Sequence, residues 1–397
     1  MRTVGTVVRG IRTPIIKDGD NLKSIVVDSL LRASEHEGFE FRDHDVVAIT
    51  EAVVGIAEGN YATVDQIGDD VKQKFAEEHI GIVFPTPLSR NRFSLILKGI
   101  ARGCKKITML ISYPADEVGN HLFDEYEMDK YNINPYNDVF EEEDYNRMFG
   151  HLVHPFTGIN YVEFFKELVQ NEGCEIEFVF ANRASVILNY TKNVIVANIH
   201  NRERTKRELI KNGAAKVFGT DELLRESING SGFNSKYGLL GSNKSTEEKV
   251  KLFPEHGQEL VDAIQNELKE KTGKNIEVMI YGDGAFKDPV GMIWELADPV
   301  VSPAHTEGLN GTPNELKLKY ISDNKFADLK GDELKEAIKE EIKKKESNLV
   351  GNMLSQGTTP RRLTDLIGSL CDLTSGSGDK GTPVVFIQGY FDNLADE

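Results

Sequence analysis

From about residue 100 to residue 235, short β-branched runs alternate with helical stretches, and few architectures accept that alternation. KKITMLISYP reads as a strand. An acidic loop rich in Tyr and Asn follows. Then come the helix NYVEFFKELVQNEG (160–173), the strand CEIEFVFAN, a short helix, the strand NVIVANIH, the helix ERTKRELIKNG, the strand AAKVFG and the helix DELL. Successive strands separated by helices pair in parallel through right-handed crossovers. The segment 101–235 therefore reads as a doubly wound, Rossmann-like α/β subdomain.

The flanks follow another pattern. TVGTVV (3–8) reads as a strand, and Leu22, Ile25, Val26 and Leu30 mark a helical face. DVVAITEAVV (45–54) reads as one buried strand, and a helix at about 64–76 and a short strand near IGIVF follow. Beyond 236 the pattern predicts a helix at 256–273, a strand at 276–280 and a charged helix at 332–345 whose lysines form a solvated face. Leu363, Leu366, Ile367, Leu370 and Cys371 then share one helical face, with Thr359 as its cap and Pro360 in its first turn. The strand VVFIQGYF closes the chain. The fold class is thus α/β (α+β): a discontinuous core of 1–100 and 236–397, interrupted by the insert.

Between that last helix and strand lies SGSGDKGTP (375–383), with Gly376, Gly378 and Gly381 in G-x-G-x-x-G spacing. A dinucleotide fingerprint runs from strand to helix, and this loop runs from helix to strand, so the Rossmann reading fails despite the spacing. An anion-binding nest and a plain loop both remain open. YGDGAFKDP sets Asp283 just past a strand end, between two glycines, with Asp288 nearby. Both offer hard oxygen ligands for Mg²⁺ or Mn²⁺, against the bland alternative of an Asp-Gly turn. In TTPRR, Arg361 and Arg362 stand at a helix start, where cations oppose the dipole, and this points to an acidic partner or a surface ion pair. His151 and His154 read as structural, and HNRERTKR (200–207) as a solvated helix face. KYGLLGSNKS (236–245) lacks the full P-loop spacing.

A formal net charge of -17 over 397 residues disfavours nucleic acid and anionic membrane as partners. It leaves room for small anionic ligands, because local Lys and Arg dominate within a Debye length of about 8 Å. No transmembrane helix or apolar signal core is expected, and three scattered cysteines fit a reducing cytoplasm.

Three blocks, in order, resemble the coenzyme F-420 gamma-glutamyl ligase family (F-420-0:L-glutamate ligases). They are TPIIKDGDNL with DVVAITEAVVGIAEG, then YGLLGSNKSTEEKVKLFP through IEVMIYGDGAFKDP, then LTDLIGSLCDLTSGSGDKGTPVVFIQG. The likeness covers roughly 1–100 and 236–397, and it implies a mixed-sheet ligase core. It also implies a cytoplasmic, homodimeric enzyme that uses GTP and Mg²⁺ or Mn²⁺ to join L-glutamate to a small anionic substrate through an acyl phosphate. Carried over, the nucleotide-contacting stretches are Thr13, Pro14, Ile15 and Ile16; Glu51 and Ala52; and Ser375, Gly376, Ser377, Gly378, Asp379, Lys380, Gly381 and Thr382. Asn243 matches a substrate contact and Asp283 a metal ligand, while Asp288 is a further metal candidate. No general base is assigned. The sequence departs from the family pattern at Ile56 (a Lys in the family), Leu240 (a metal Asp), Gly284 (a Thr) and Ser377 (a metal Gln). Two alternatives follow from those departures: a non-catalytic nucleotide or phospho-ligand binding protein on the same scaffold, or a different enzyme that uses the insert.

Overall fold

The computed structural model describes residues 3–76, 78–85, 90–154, 157–284, 287–288, 293–294, 298–349, 351–355, 361–375 and 379–396, with backbone alone at 90–92, 287–288 and 293–294. Two sheets dominate it. The first has five strands in the order Val7–Ile11, Val384–Gln388, Val46–Thr50, Glu277–Tyr281, Ala304–His305. Val46–Thr50 and Glu277–Tyr281 run parallel, and the other neighbours are antiparallel.

Both faces of this mixed sheet are covered. Val47, Ile49, Val278, Ile280 and Phe386 pack beneath helices Leu22–Glu37 and Gly257–Thr272. Val46, Ala48, Met279, Val385 and Ile387 pack beneath helix Leu363–Ser375. Successive side chains alternate between faces, so a strand buried on both sides must be apolar throughout. That is why VVAIT and VVFIQ carry unbroken apolar runs. Each fully buried Val or Ile contributes roughly 1.5–3 kcal/mol.

The second sheet has six strands in the order Phe140–Glu141, Glu175–Phe180, Lys106–Ile111, His79–Val83, Asn193–Val196, Lys216–Gly219. All pairs are parallel except that of Phe140–Glu141. Ile80, Ile82, Ile107 and Met109 face one apolar layer, and Val83 and Leu110 face the opposite one, so the sheet is doubly wound as the alternation requires. Its first strand in chain order is His79–Val83, which lies upstream of residue 101 and in mid-sheet. Helices Val64–Phe75 and Arg90–Arg102 belong to the same layered unit, since Val71, Phe75, Leu97 and Ile100 join its core. A short strand does not advertise which sheet will take it. A small antiparallel sheet, Asn243–Thr246, Lys249–Lys251 and Tyr61–Thr63, lies between the two large ones in the chain's connectivity.

One element differs from the sequence expectation in a way that shapes the site. The apolar run 45–54 is not a single strand: it turns at Thr50 into helix Glu51–Ala57. Thr50 keeps extended angles at the helix N-cap, and Glu51 opens the first turn with an acid, which suits the positive end of the helix. Apolarity continues through the junction because both elements are buried, so periodicity alone hides the break. Among the described residues, no helix is long and apolar enough to cross a membrane.

Candidate functional site

A cleft of about 570 Å³ opens at the ends of the central strands of the five-stranded sheet. Five separate stretches of chain line it: Thr13–Ile16, Thr50–Val53, Asn243, Tyr281–Asp283, and the helix-to-strand junction with Asp372, Ser375 and Gly381–Pro383. The junction is tied to the core by its carbonyls. The Gly381 carbonyl accepts from the Thr13 amide (3.3 Å), and that of Pro383 from the Thr50 amide (3.0 Å). Gly381 adopts a left-handed φ of 67°. At the start of the junction the buried Tyr281 hydroxyl donates to Ser375 Oγ at 2.6 Å. Burial pushes the Tyr281 phenol well above its ordinary range.

Asp283 sits on the loop after strand Glu277–Tyr281, and two other aspartates fix that loop. The Asp283 amide donates to Asp298 Oδ2 at 2.8 Å, and the Gly284 amide to Asp372 Oδ2 at 2.9 Å. Position 284 is glycine for a steric reason. A Cβ there would lie 2.9 Å from Ser369 Cα in helix Leu363–Ser375, too close for any side chain.

Glu51 joins the cleft to the small sheet. It is 4% exposed. Its Oε2 accepts from the equally buried Lys251 Nζ at 2.7 Å, and its Oε1 from Asn243 Nδ2 at 3.2 Å. Asn243 and Lys251 face one another across a strand pair. Lys251 reaches Glu51 past Gly55, where a Cβ would stand 2.9 Å from the Leu252 carbonyl and 3.3 Å from Lys251 Cδ. Lys251 thus brings a cation beside the helix that carries Ile56, the position of the family's lysine.

The structure gathers most of the expected residues at this one cleft: Thr13, Pro14, Ile15, Ile16, Glu51, Ala52, Asn243, Asp283, Ser375, Gly381 and Thr382. Asp379 and Lys380 are exposed and do not line it, and Lys380 Nζ donates to the Thr374 carbonyl. Gly376, Ser377 and Gly378 lie outside the described residues, as do Thr359 and Pro360. Asp288 is placed by its backbone alone, in strand Lys287–Asp288. Sequence reasoning missed Asp372, Asp298, Tyr281 and Lys251. Asp372 follows the apolar face of helix Leu363–Ser375 by one residue, which was a readable signal. Lys251 gave none, because its partner lies 200 residues away.

A family model described as F420-0:Gamma-glutamyl ligase matches residues 10–389. The chain belongs to that family. It is a family of ligases, and the match runs through the six-stranded unit as well as the flanks. No curated protein matched the sequence. Leu240, which the sequence likeness sets opposite a metal aspartate, is 4% exposed and packs with Ile199, Tyr237 and Phe253 in apolar core. Among the described residues, no group of three or more His, Cys, Asp and Glu side chains is arranged to hold a metal ion.

Proposed function

We propose that this ligase uses GTP and a divalent metal to join L-glutamate, through its amine, to the carboxylate of a small anionic acid. What carries the reading is the convergence of Thr13–Ile16, Glu51–Ala52, Asp283, Ser375 and Gly381–Thr382 on one cleft, since the family likeness had marked these same stretches from sequence alone. Transfer of the γ-phosphoryl group to a carboxylate oxygen leaves GDP and an acyl phosphate. The glutamate amine then attacks the acyl carbon, phosphate departs, the nitrogen loses a proton and an amide remains. Such chemistry rests on positioning and on charge held ready for the transition state.

In this reading Thr13–Ile16 and Gly381–Thr382 flank the nucleotide. Ile15, 87% exposed at the cleft, offers apolar surface to its base. Asn243, oriented by Glu51, contacts the acid. Mg²⁺ or Mn²⁺, when bound, would neutralise phosphate charge. Asp283 and Asp372, both at the cleft, would hold one such ion. With Leu240 in the core they do not suit a two-metal protein cage. We assign no side chain as general base. We propose in addition that the enzyme works in the cytoplasm as a homodimer, a reading that the family likeness supports.

Equilibrium binding of GTP to wild type and Asp283→Asn, with and without Mg²⁺ or Mn²⁺, tests this. Losing one charged contact costs roughly 1.5–3 kcal/mol, about ten- to a hundredfold in metal-dependent affinity. If wild type binds no GTP under any metal condition, the reading is wrong.

A further inference from the structure

Asp283 borders two cavities. Behind the cleft described above lies a second of about 500 Å³, lined among others by Asp283, Asp298, Asp365, Arg362, His200 and His305. Helix Leu363–Ser375 serves both. Asp372 and Ser375 near its end face the first cleft, and Thr364 and Asp365 at its start face the second. From Asp365 to Asp372 the helix rises about 10 Å. The two cavities are therefore neighbours about one small molecule apart, with Asp283 common to both.

The lining of the second cavity is mixed in charge. Arg362 is exposed at the helix start, and no hydrogen bond or ion pair engages its guanidinium among the described residues. His305 holds Asn310 Oδ1 through Nε2 at 3.0 Å, and its Nδ1 is buried with no hydrogen-bond partner. Beside the guanidinium and the imidazole stand the carboxylates of Asp283, Asp298 and Asp365. A cavity that presents a guanidinium and carboxylates together matches a zwitterion, and is a poor match for a purely anionic acid.

His200 comes from the six-stranded unit, on the loop after strand Asn193–Val196. It sits at the carboxyl ends of the parallel strands, beside the point where the strand order reverses. One side chain holds that loop. The Glu117 carboxylate accepts from the backbone amides of Ile199, His200 (3.0 Å) and Asn201 (2.8 Å). Glu117 thus acts as a positioning residue for the wall that the six-stranded unit contributes.

We propose that this second cavity is the amino-acid site: it receives the zwitterionic co-substrate, Arg362 and His200 take its carboxylates, and Asp298 and Asp365 take its ammonium group. The assignment rests on the ligase reading of the first cleft, because the amine must approach an acyl phosphate formed on the far side of Asp283. It gives the six-stranded unit a task in the reaction, namely selecting the nucleophile.

Calorimetric titration of L-glutamate into the full-length protein, with Mg²⁺ and a non-hydrolysable GTP analogue present, tests the assignment. Wild type is expected to bind glutamate. Arg362→Gln and His200→Ala, both at exposed positions, are each expected to weaken it tenfold or more while leaving affinity for the analogue within twofold. Glutarate, which lacks the ammonium group, is expected to bind at least tenfold more weakly than glutamate. Glutamate affinity untouched by both substitutions overturns the proposal, as does glutarate binding equal to glutamate. Analogue binding without glutamate binding overturns the amino-acid site and leaves the nucleotide cleft standing. Failure of both ligands overturns the ligase reading and this inference together.

Discussion

Lys251 and Glu51 are almost fully buried, and each neutralises the other. A buried pair of this kind need not stabilise the fold much relative to apolar residues, but breaking it is costly because one charge is left in the interior. Lys251→Met is therefore expected to lower the unfolding free energy by roughly 3–5 kcal/mol, read from urea denaturation. In the double variant Lys251→Met, Glu51→Gln the loss should shrink, since no bare charge remains. A double variant as unstable as the single would show that the lysine matters through packing. No window of sequence could reveal this pair. A lysine between Val250 and Leu252 looks like an outward-facing residue of an amphipathic strand, and its burial depends on a helix 200 residues earlier.

At the level of elements, the loop after strand Lys106–Ile111 carries both Glu117 and its neighbour Asp116. Burial pushes the Asp116 carboxyl up to about 6 from an ordinary 3.8. Its Oδ1 accepts from the amides of Val118 and Asn120, and its Oδ2 from Asn120 Nδ2. The folded state thus binds this proton more tightly than the unfolded chain does. The associated stability is full below about pH 4 and is lost as pH rises through about 6. Compared with wild type, Asp116→Asn should gain ground between pH 4 and 7, and denaturant midpoints at three pH values would show it. A difference between the two proteins that stays constant with pH would rule the effect out.

Elements were also where the sequence was most readable. The helices at Tyr161–Asn171, Gly257–Thr272 and Gly331–Lys343 lie within about two residues of their expected spans, whereas helix Leu363–Ser375 keeps its expected apolar face but starts at Leu363, past the cap and first turn expected at Thr359 and Pro360. The Asn160 side chain caps the first of them, and Gly273 ends the second in a left-handed conformation. The turn from strand to helix at Glu51 was not readable, because burial on both sides of the junction removes the polar punctuation that normally marks it. The first strand was also displaced, to Val7–Ile11 from the TVGTVV run, since an edge strand is placed by its partner's register and not by its own pattern.

For the molecule as a whole, five stretches separated by most of the chain meet at one cleft, so a ligand there would bridge distant parts of the fold. GTP with Mg²⁺ at a hundred times its dissociation constant should raise the unfolding free energy by about 2.7 kcal/mol, measured by denaturation with and without nucleotide. The absence of any shift, at a concentration where binding is seen directly, would mean that the unfolded chain binds equally well. A net charge of -17 leads to a second expectation: no retardation of single- or double-stranded nucleic acid in gels at physiological salt. A retarded band that persists at high salt would contradict it. The joint order of the three ligase-like blocks was legible because spacing survives divergence. The extent of the six-stranded unit was not, since the membership of His79–Val83 is decided by pairing partners on both sides.

The close seating of Gly284 against Ser369 constrains the order in which this chain could change. The family's threonine at 284 cannot coexist with helix Leu363–Ser375 where it now lies, because the first carbon of the side chain already meets Ser369 Cα at 2.9 Å. The family's aspartate at 240 would likewise place a charge among Ile199, Tyr237 and Phe253. Adopting the family pattern is thus not a matter of two independent substitutions. The helix and the apolar cluster must move first, and each single substitution made alone is a step downhill in stability. A divergence protected in this way works as a ratchet. It makes transplanting the family's metal ligands into this ligase a task of rebuilding a layer of its core.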